Sequence, residues 1–279
     1  MANDRDCTDS LRLAARGVGS SPDLAIGVLD SGIGGLNVLR ELVRILPNER
    51  YVYYADEKNA PYGEKPEGIV KSLVDDAIEF MVDLGVKAVV IACNTATSVA
   101  IDELRAKYSV PIIGMEPAIK PALMTDKRVL LMATPVTIRS GRLKKLLNKS
   151  GEADRVDLLE APRLVEFAEA SVFDSTEVKQ YIRELLQGYD LSAYSSLVLG
   201  CSHFSFFKSV FRSIFPENIQ IFDGSCGTAD NLKAVLLRNS LCGNSGLSVE
   251  YCYSGEILCD KAEIKRLDRL CGISTEEGE

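Results

Sequence analysis

The stretch "VVIACNTATSVAIDELR" (residues 89–105) runs from an unbroken apolar segment through a cysteine into small polar residues and then a helical pattern. A second stretch, "SSLVLGCSHFSFFKSVFRSIF" (195–215), repeats that layout, with Cys201 in the place of Cys93 and the chain's single histidine, His203, two positions later. Near-continuous apolar runs followed by amphipathic ones mark parallel strands buried on both faces. Outward from these two stretches the same alternation covers most of the chain. Strands are predicted at 24–30, 51–56, 88–93, 111–115, 128–134, 155–160, 196–201 and 219–224. Helices are predicted over 34–46, 66–84, 96–107, 137–149, 176–187 and 205–215. The pattern predicts an α/β fold of mainly parallel sheets flanked by helices, with ligands taken at the carboxyl ends of the strands.

The two cysteine stretches belong to an internal repeat. The first half runs strand, "DSGIGG", helix, then strand, "CNT", helix and "VPIIGMEP"; the second runs strand, "ATPVTIRSG", helix, then strand, "CSH", helix and "NIQIFDG". Asp30 and Cys93 are 63 positions apart, and Ala133, the counterpart of Asp30, lies 68 before Cys201. This predicts two pseudo-symmetric domains, with the active site in the cleft between them and both thiols brought to it. The expected division is 24–116 together with 226–279 for the first domain (Asp30, Cys93) and 117–225 for the second (Cys201, His203). Residues 1–23, "MANDRDCTDSLRLAARGVGSSPD", are polar and read as a disordered extension without the apolar core of a signal peptide.

Composition narrows the function. The chain has 279 residues, 46% hydrophobic and 26% charged, as in ordinary globular proteins. A formal net charge of −8 disfavours nucleic acid or an anionic membrane as a partner. No apolar run approaches the length of a membrane-spanning helix. Eight cysteines without a secretion signal point to reduced thiols in a cytoplasm. With one histidine and no CxxC spacing, no metal site is expected. Cys7, Cys226, Cys242, Cys252, Cys259 and Cys271 read as plain core or surface thiols.

Cys93 and Cys201 carry the chemistry. A helix N-terminus favours a thiolate, and both thiols are expected at one. Asp30 ends the strand expected beside that of Cys93, while His203 shares the turn of Cys201, so each thiol has its own partner. A disulfide switch, or a single cysteine nucleophile with His203 as base, leaves this arrangement partly unused. Thiols on opposite faces of one carbon, one removing a proton and the other returning one, invert a stereocentre. The carbanion-like state needs support, and Ser31, Asn94, Thr95, Ser202, Thr134 and Thr137 offer hydroxyls, an amide and helix N-termini for carboxylates, with Asp30 facing an ammonium. No lysine sits in a pyridoxal-phosphate context, so the route is read as cofactor-free. "DSGIGG" lacks the lysine of a Walker loop and the third glycine of a dinucleotide fingerprint, leaving either a close helix–strand turn or a binding role. "NAPYGEKP" (59–66), taken alone, reads as a surface loop.

These residues resemble the glutamate racemase family, the cofactor-independent amino-acid racemases. The resemblance spans about residues 25–240 and rests on "GVLDSGIGGLNVLREL", "YYADEKNAPYG", "ACNTATSVAIDELR", "PIIGMEPAIKPA", "ATPVTIRSG" and "LVLGCSHF". It implies interconversion of L- and D-glutamate by Cys93 and Cys201, supported by Asp30 and His203, with substrate contacts at Ser31, Tyr62, Gly63, Asn94, Thr95 and Ser202. An acidic residue in "APRLVEFAE", Glu169, is implied as a further catalytic group. The resemblance also implies a cytoplasmic homodimer supplying D-glutamate for peptidoglycan. Against the family's usual pattern, Ser202 stands for threonine, Phe204 and Ser205 for Tyr-Pro, Val136 for glycine, Leu143 for tyrosine and Ala161 for cysteine. The related aspartate racemases usually lack the histidine after the second cysteine, which this chain has.

Overall fold

The structure, a computed structural model, describes residues 21–125 and 127–273. The expected extension at 1–23 lies almost wholly outside the described residues, as does Cys7. All eight strands expected from the sequence form: β1 (Ile26–Asp30), β2 (Arg50–Ala55), β3 (Ala88–Ile91), β4 (Ile112–Gly114), β5 (Arg128–Ala133), β6 (Val156–Glu160), β7 (Tyr194–Gly200) and β8 (Gln220–Asp223). Two more, β9 (Ser248–Tyr253) and β10 (Glu256–Ile257), follow near the C-terminus. The helices are α1 (Leu36–Ile45), α2 (Glu67–Asp83), α3 (Asn94–Lys107), α4 (Ile119–Ala122), α5 (Pro135–Arg139), α6 (Gly141–Ser150), α7 (Arg163–Glu169), α8 (Thr176–Leu185), α9 (Lys208–Ile214), α10 (Ser225–Arg238) and α11 (Lys261–Cys271).

The strands make two sheets, one of order β10-β9-β2-β1-β3-β4 and one of order β6-β5-β7-β8. All pairings are parallel except β9 with β10. Without β9 and β10 the two sheets have the same order, the second strand outside the first, then the third and fourth. The repeat read from the sequence is therefore a repeat of topology. In each sheet the strand order reverses about one neighbouring parallel pair, β1/β3 or β5/β7, and such a switch point opens a crevice at the carboxyl strand ends. Asp30 and Cys93 lie at the first crevice and Thr134 and Cys201 at the second. The chain passes between the sheets twice, after β4 and after β8.

Helices cover both faces of each sheet, which is why the strands carry no polar alternation. In the first sheet Ile26 and Val28 pack with Leu36 and Leu39 of α1, Leu232 of α10 and Leu267 of α11, while Leu29, Val89 and Ile91 pack with Val70 and Val74 of α2 and Leu104 of α3. In the second, Leu130 and Met132 face Leu164, Ile182 and Phe211, and Val129 and Leu131 face Ile119, Leu143 and Leu147. Each such side chain taken fully from water stabilises by about 1.5–3 kcal/mol.

Three local readings change. The helix expected over 137–149 is two helices, because Ser140 is extended (φ −61°, ψ 141°) and its Oγ accepts from Leu143 N at 3.1 Å, starting α6 afresh. The helix expected over 205–215 opens as a 3-10 turn, Ser202–Phe207, before α9. The region after 224, where the pattern predicts no element, supplies α10, the β9/β10 edge and α11.

Candidate active site

Cys93 follows β3 and caps α3: Ala96 N donates to its Sγ at 3.4 Å, and Ser31 Oγ lies 4.0 Å from the sulfur. The helix N-terminus alone would lower this thiol's pKa, as the sequence suggested. Here burial, then the charge of Asp30, outweigh the Ala96 amide and push the thiol well above its ordinary 9.0. Cys93 is therefore held as a thiol. Cys201 follows β7, but no amide caps its sulfur; the 3-10 turn instead places His203 Nδ1 3.8 Å from Sγ. The two thiols thus have different surroundings at equivalent strand ends. Both are almost wholly buried, at 5% and 6% exposure.

The groups expected to serve separate thiols are joined in one chain across the two halves. Glu169 accepts from Ile33 N at 3.1 Å and from His203 Nε2. His203 Nδ1 meets Ser202 Oγ at 3.3 Å, and Ser202 Oγ donates to Asp30 Oδ2 at 2.8 Å. Asp30 Oδ1 accepts from Gly32 N at 3.0 Å. Burial alone would discharge His203, but its bonds to Cys201 and Glu169 and the charge of Asp30 win, and its pKa rises well above 6.5. Burial works against Glu169 too, yet the bond to His203 and its charge hold the carboxyl below its ordinary value. Asp30 goes the other way: complete burial raises it, against the pull of His203 and the Ser202 and Gly32 bonds. An imidazolium flanked by two carboxyls is the resulting electrostatic pattern.

The glycine-rich turn after β1 makes this possible. A Cβ at Gly34 would lie 2.4 Å from His203 Nδ1 and 2.5 Å from Ser202 Oγ, and one at Gly32 would lie 1.8 Å from Glu169 Oε1. "DSGIGG" thus lets the second half settle directly on the backbone of the first. The loop "NAPYGEKP" is no plain surface loop. Tyr62 is buried, and Val136 N of the second half donates to Gly63 O at 3.1 Å. The Tyr62 hydroxyl donates to Asp56 Oδ2 at 2.5 Å, so its side chain is already committed.

Thr95 of α3 meets Thr134 at 2.9 Å and Thr137 at 3.3 Å across the cleft, and the last two are 3.0 Å apart. These three hydroxyls satisfy one another at the start of two helices and can turn to a carboxylate. Asn94 Nδ2 donates to Met115 O at 3.3 Å, while its buried Oδ1 has no hydrogen-bond partner among the described residues. A buried orphan acceptor is costly and marks a place where a donor such as an ammonium would be welcome. Tyr53 was not singled out from the sequence; its hydroxyl donates to Gly32 O at 2.7 Å and fixes the turn from below. Strand alternation gives the side of the sheet on which Tyr53 lies but no sign of that bond. A cavity of about 690 Å³ lies not at the thiols but between the segments 114–121 and 221–228, beside Arg105 and Arg142. The described residues bring together no group of three His, Cys, Asp or Glu side chains able to hold a metal ion.

Comparison with known proteins gives a consistent result. The profile of the family described as Asp/Glu/Hydantoin racemase matches residues 26–226. Glutamate racemase of Campylobacter curvus is 46% identical over 254 residues, covering 88% of this chain and 96% of that protein. Glutamate racemase from Thermus thermophilus, solved in complex with β-chloro-D-alanine, superposes with a TM-score of 0.75 at 30% identity, covering 90% of this chain and 94% of that one. The Francisella tularensis glutamate racemase solved with D-glutamate gives 0.75 at 25% identity over 90% of this chain and 94% of that one.

Proposed function

The chain belongs to the Asp/Glu/Hydantoin racemase family and is an amino-acid racemase, and from that premise we propose that it interconverts L- and D-glutamate by a two-base mechanism at Cys93 and Cys201. The observation that carries the reading is the pairing of the two cysteines at equivalent strand ends, with Asp30, Ser202, His203 and Glu169 bonded in one chain between them.

In the proposed cycle one cysteine, as thiolate, takes the α-proton from one face of the substrate. The other, as thiol, gives its proton to the opposite face, so the substrate is inverted and the pair of thiols exchanges protonation states. The α-proton of an amino acid is weakly acidic, and a thiol raised by burial is, once ionised, a stronger base than a thiol in water. The closed site thus gives up thiolate population for basicity. The ammonium is assigned to Asp30 and Asn94 Oδ1, and the carboxylates to the Thr95, Thr134 and Thr137 hydroxyls and the helix N-termini beside them. Ser31, Tyr62, Gly63, Ser202 and His203 complete the proposed binding site, with Tyr62 and Gly63 acting through the backbone. His203, kept protonated by Glu169, places positive charge 3.8 Å from the sulfur of Cys201. No cofactor has a part in this route.

The proposal extends to the setting. The lobes 24–116 with 226–279 and 117–225 close over the substrate as units, and the enzyme works as a cytoplasmic homodimer supplying D-glutamate for peptidoglycan. Among the described residues no helix is long and apolar enough to cross a membrane. The test uses purified reduced protein with L-glutamate in D₂O and no pyridoxal phosphate, followed by polarimetry and the α-proton NMR signal together. Loss of rotation with deuterium at Cα is expected. A folded, reduced enzyme that exchanges neither would sink the substrate and the mechanism together, and preferential turnover of aspartate would move the substrate alone.

A further inference from the structure

One buried polar side chain beside the site has no part in the mechanism above. Asn37, in the first turn of α1, donates from Nδ2 to Gly34 O at 3.2 Å and to Ser202 O at 3.1 Å, while its Oδ1 accepts from Arg40 Nη2. Both amide hydrogens and the amide oxygen are in use, and that network fixes which way the amide points. The partners are telling. Gly34 is the residue on which the His203 ring and Ser202 Oγ rest, and the Ser202 carbonyl belongs to the peptide that joins Ser202 to His203. One amide thus holds the two peptide units that face each other across the Gly34–His203 contact, one from each half.

We propose that Asn37 is a positioning residue for the second thiol's machinery, fixing the Ser202–His203 peptide against the Gly34 turn so that His203 stands at its reach of Cys201 and Ser202 at its reach of Asp30. The proposal rests on the two-thiol reading. Its mark is asymmetry: Asn37 touches the turn that follows Cys201 and makes no bond to Cys93, Asn94 or Thr95. Loosening it disturbs the step in which Cys201 accepts or donates the proton more than the step at Cys93. The equilibrium constant between enantiomers is unity, so kcat/KM must fall equally in both directions. The asymmetry then appears in kcat and KM separately, each direction losing kcat by a different factor with a matching change in KM.

The test is Asn37→Leu, which keeps the branched shape and heavy-atom count and removes both donors, alongside Asn37→Asp, which turns acceptors toward the two carbonyls. Steady-state racemisation is measured from each enantiomer and normalised to folded enzyme by circular dichroism. Expected is a loss in kcat of about tenfold or more, with factors that differ about threefold between L- and D-glutamate. After that normalisation a role in stability alone predicts unchanged kcat and KM; kcat within twofold of wild type, or equal losses in both directions at unchanged KM, overturns the proposal. Should neither variant fold, Arg40→Met decides: its side chain is at the surface and its loss frees the Asn37 amide, so the same asymmetry, smaller, supports the assignment and symmetric kinetics overturn it. Wild-type enzyme assayed in parallel separates the two failures, since absence of racemisation there strikes at the two-thiol reading and not at Asn37.

Discussion

Replacing Gly34 by alanine tests whether the site depends on direct contact between one half's side chains and the other's backbone. Gly34 is not among the positive-φ glycines, so alanine is allowed by the backbone and only space is at issue. The new Cβ would sit 2.4 Å from His203 Nδ1, 2.5 Å from Ser202 Oγ and 2.7 Å from His203 Cε1, all below the 3.0 Å that real Cβ contacts respect. These neighbours are not loose ends: His203 is held by Glu169 and Ser202 by Asp30, and both are buried. Relief therefore means moving the Ser202–His203 turn by at least about 0.6 Å and, for ordinary contact, by about 1 Å. A 2.8 Å bond from Ser202 to Asp30 stretched by that amount is lost.

Overpacking of this kind costs about 1–3 kcal/mol of stability, which for a chain of this size lowers the melting temperature by several degrees. Displacing a catalytic group by about 1 Å costs roughly 10²-fold in turnover. The expectation is a folded protein that has lost far more activity than stability. Circular dichroism serves for both, thermal melting in the far ultraviolet and racemisation of either enantiomer at a fixed wavelength. Gly68→Ala is the control, since the residue is exposed and nothing lies within 4 Å of its Cβ position; it should leave turnover alone. If Gly34→Ala kept kcat within twofold of wild type, the turn's glycine would not be there to admit His203, and the closed geometry would not be the working one.

Cys93→Ala and Cys201→Ala should each abolish racemisation and leave at most exchange with solvent from one enantiomer; near wild-type turnover in either would refute the two-base assignment. Glu169→Gln should flatten the pH dependence of stability. His203, raised in the fold, contributes stability that is complete below its ordinary 6.5 and is lost as pH climbs through the raised value, while depressed Glu169 contributes above its ordinary 4.5 and loses it as pH falls through the lowered value. Wild-type melting temperature should therefore decline from neutral to alkaline pH, and a Gln variant with the same decline would show that the pair is not the cause. Lys87, wholly buried, pairs with Glu49, which also accepts from Gly243 N at 2.7 Å. Lys87→Met should cost about 3–5 kcal/mol by leaving that carboxylate without its cation, to be read from urea unfolding, with less than 1 kcal/mol counting against it.

The sequence revealed what repeats and what is buried on both sides. Val89–Ile91 and Leu197–Leu199 carry no polar alternation because helices cover both faces, and that alone distinguishes a parallel sheet from a half-exposed one. The C-terminal strand "SVEYCY" (248–253) escaped because it lies toward the sheet edge, with only the two-residue β10 beyond it, and its residues mix charge with aromatics. Ser140 hid the break between α5 and α6, since a serine within a helical pattern reads equally as a surface position or as a cap. Within the site, Cys93, Cys201, Asp30 and His203 were legible as chemically marked residues at strand ends, and Glu169 only through the family resemblance. The bonds among them were not, because Ser202 to Asp30 and His203 to Glu169 are contacts between halves whose relative placement no local pattern encodes.

That placement explains how two similar halves yield unlike sites. Both sheets have the same strand order, so each contributes a thiol at its switch point, and symmetry by itself would give each thiol the same partner. The position of Asp30 in the first sheet is taken by Ala133 in the second, and the position of His203 beside the second thiol is taken by Thr95 beside the first. One carboxyl and one imidazole are thus distributed over two equivalent places. Ser202 joins them across the two sheets, and the charge of Asp30 that helps hold His203 protonated also raises the cost of ionising Cys93. In the proposed mechanism the two bases are therefore not independent sites that share a substrate. A change at Asp30 reaches His203 through one hydroxyl, and the asymmetry between the thiols belongs to the closed pair of halves, since neither half alone contains it.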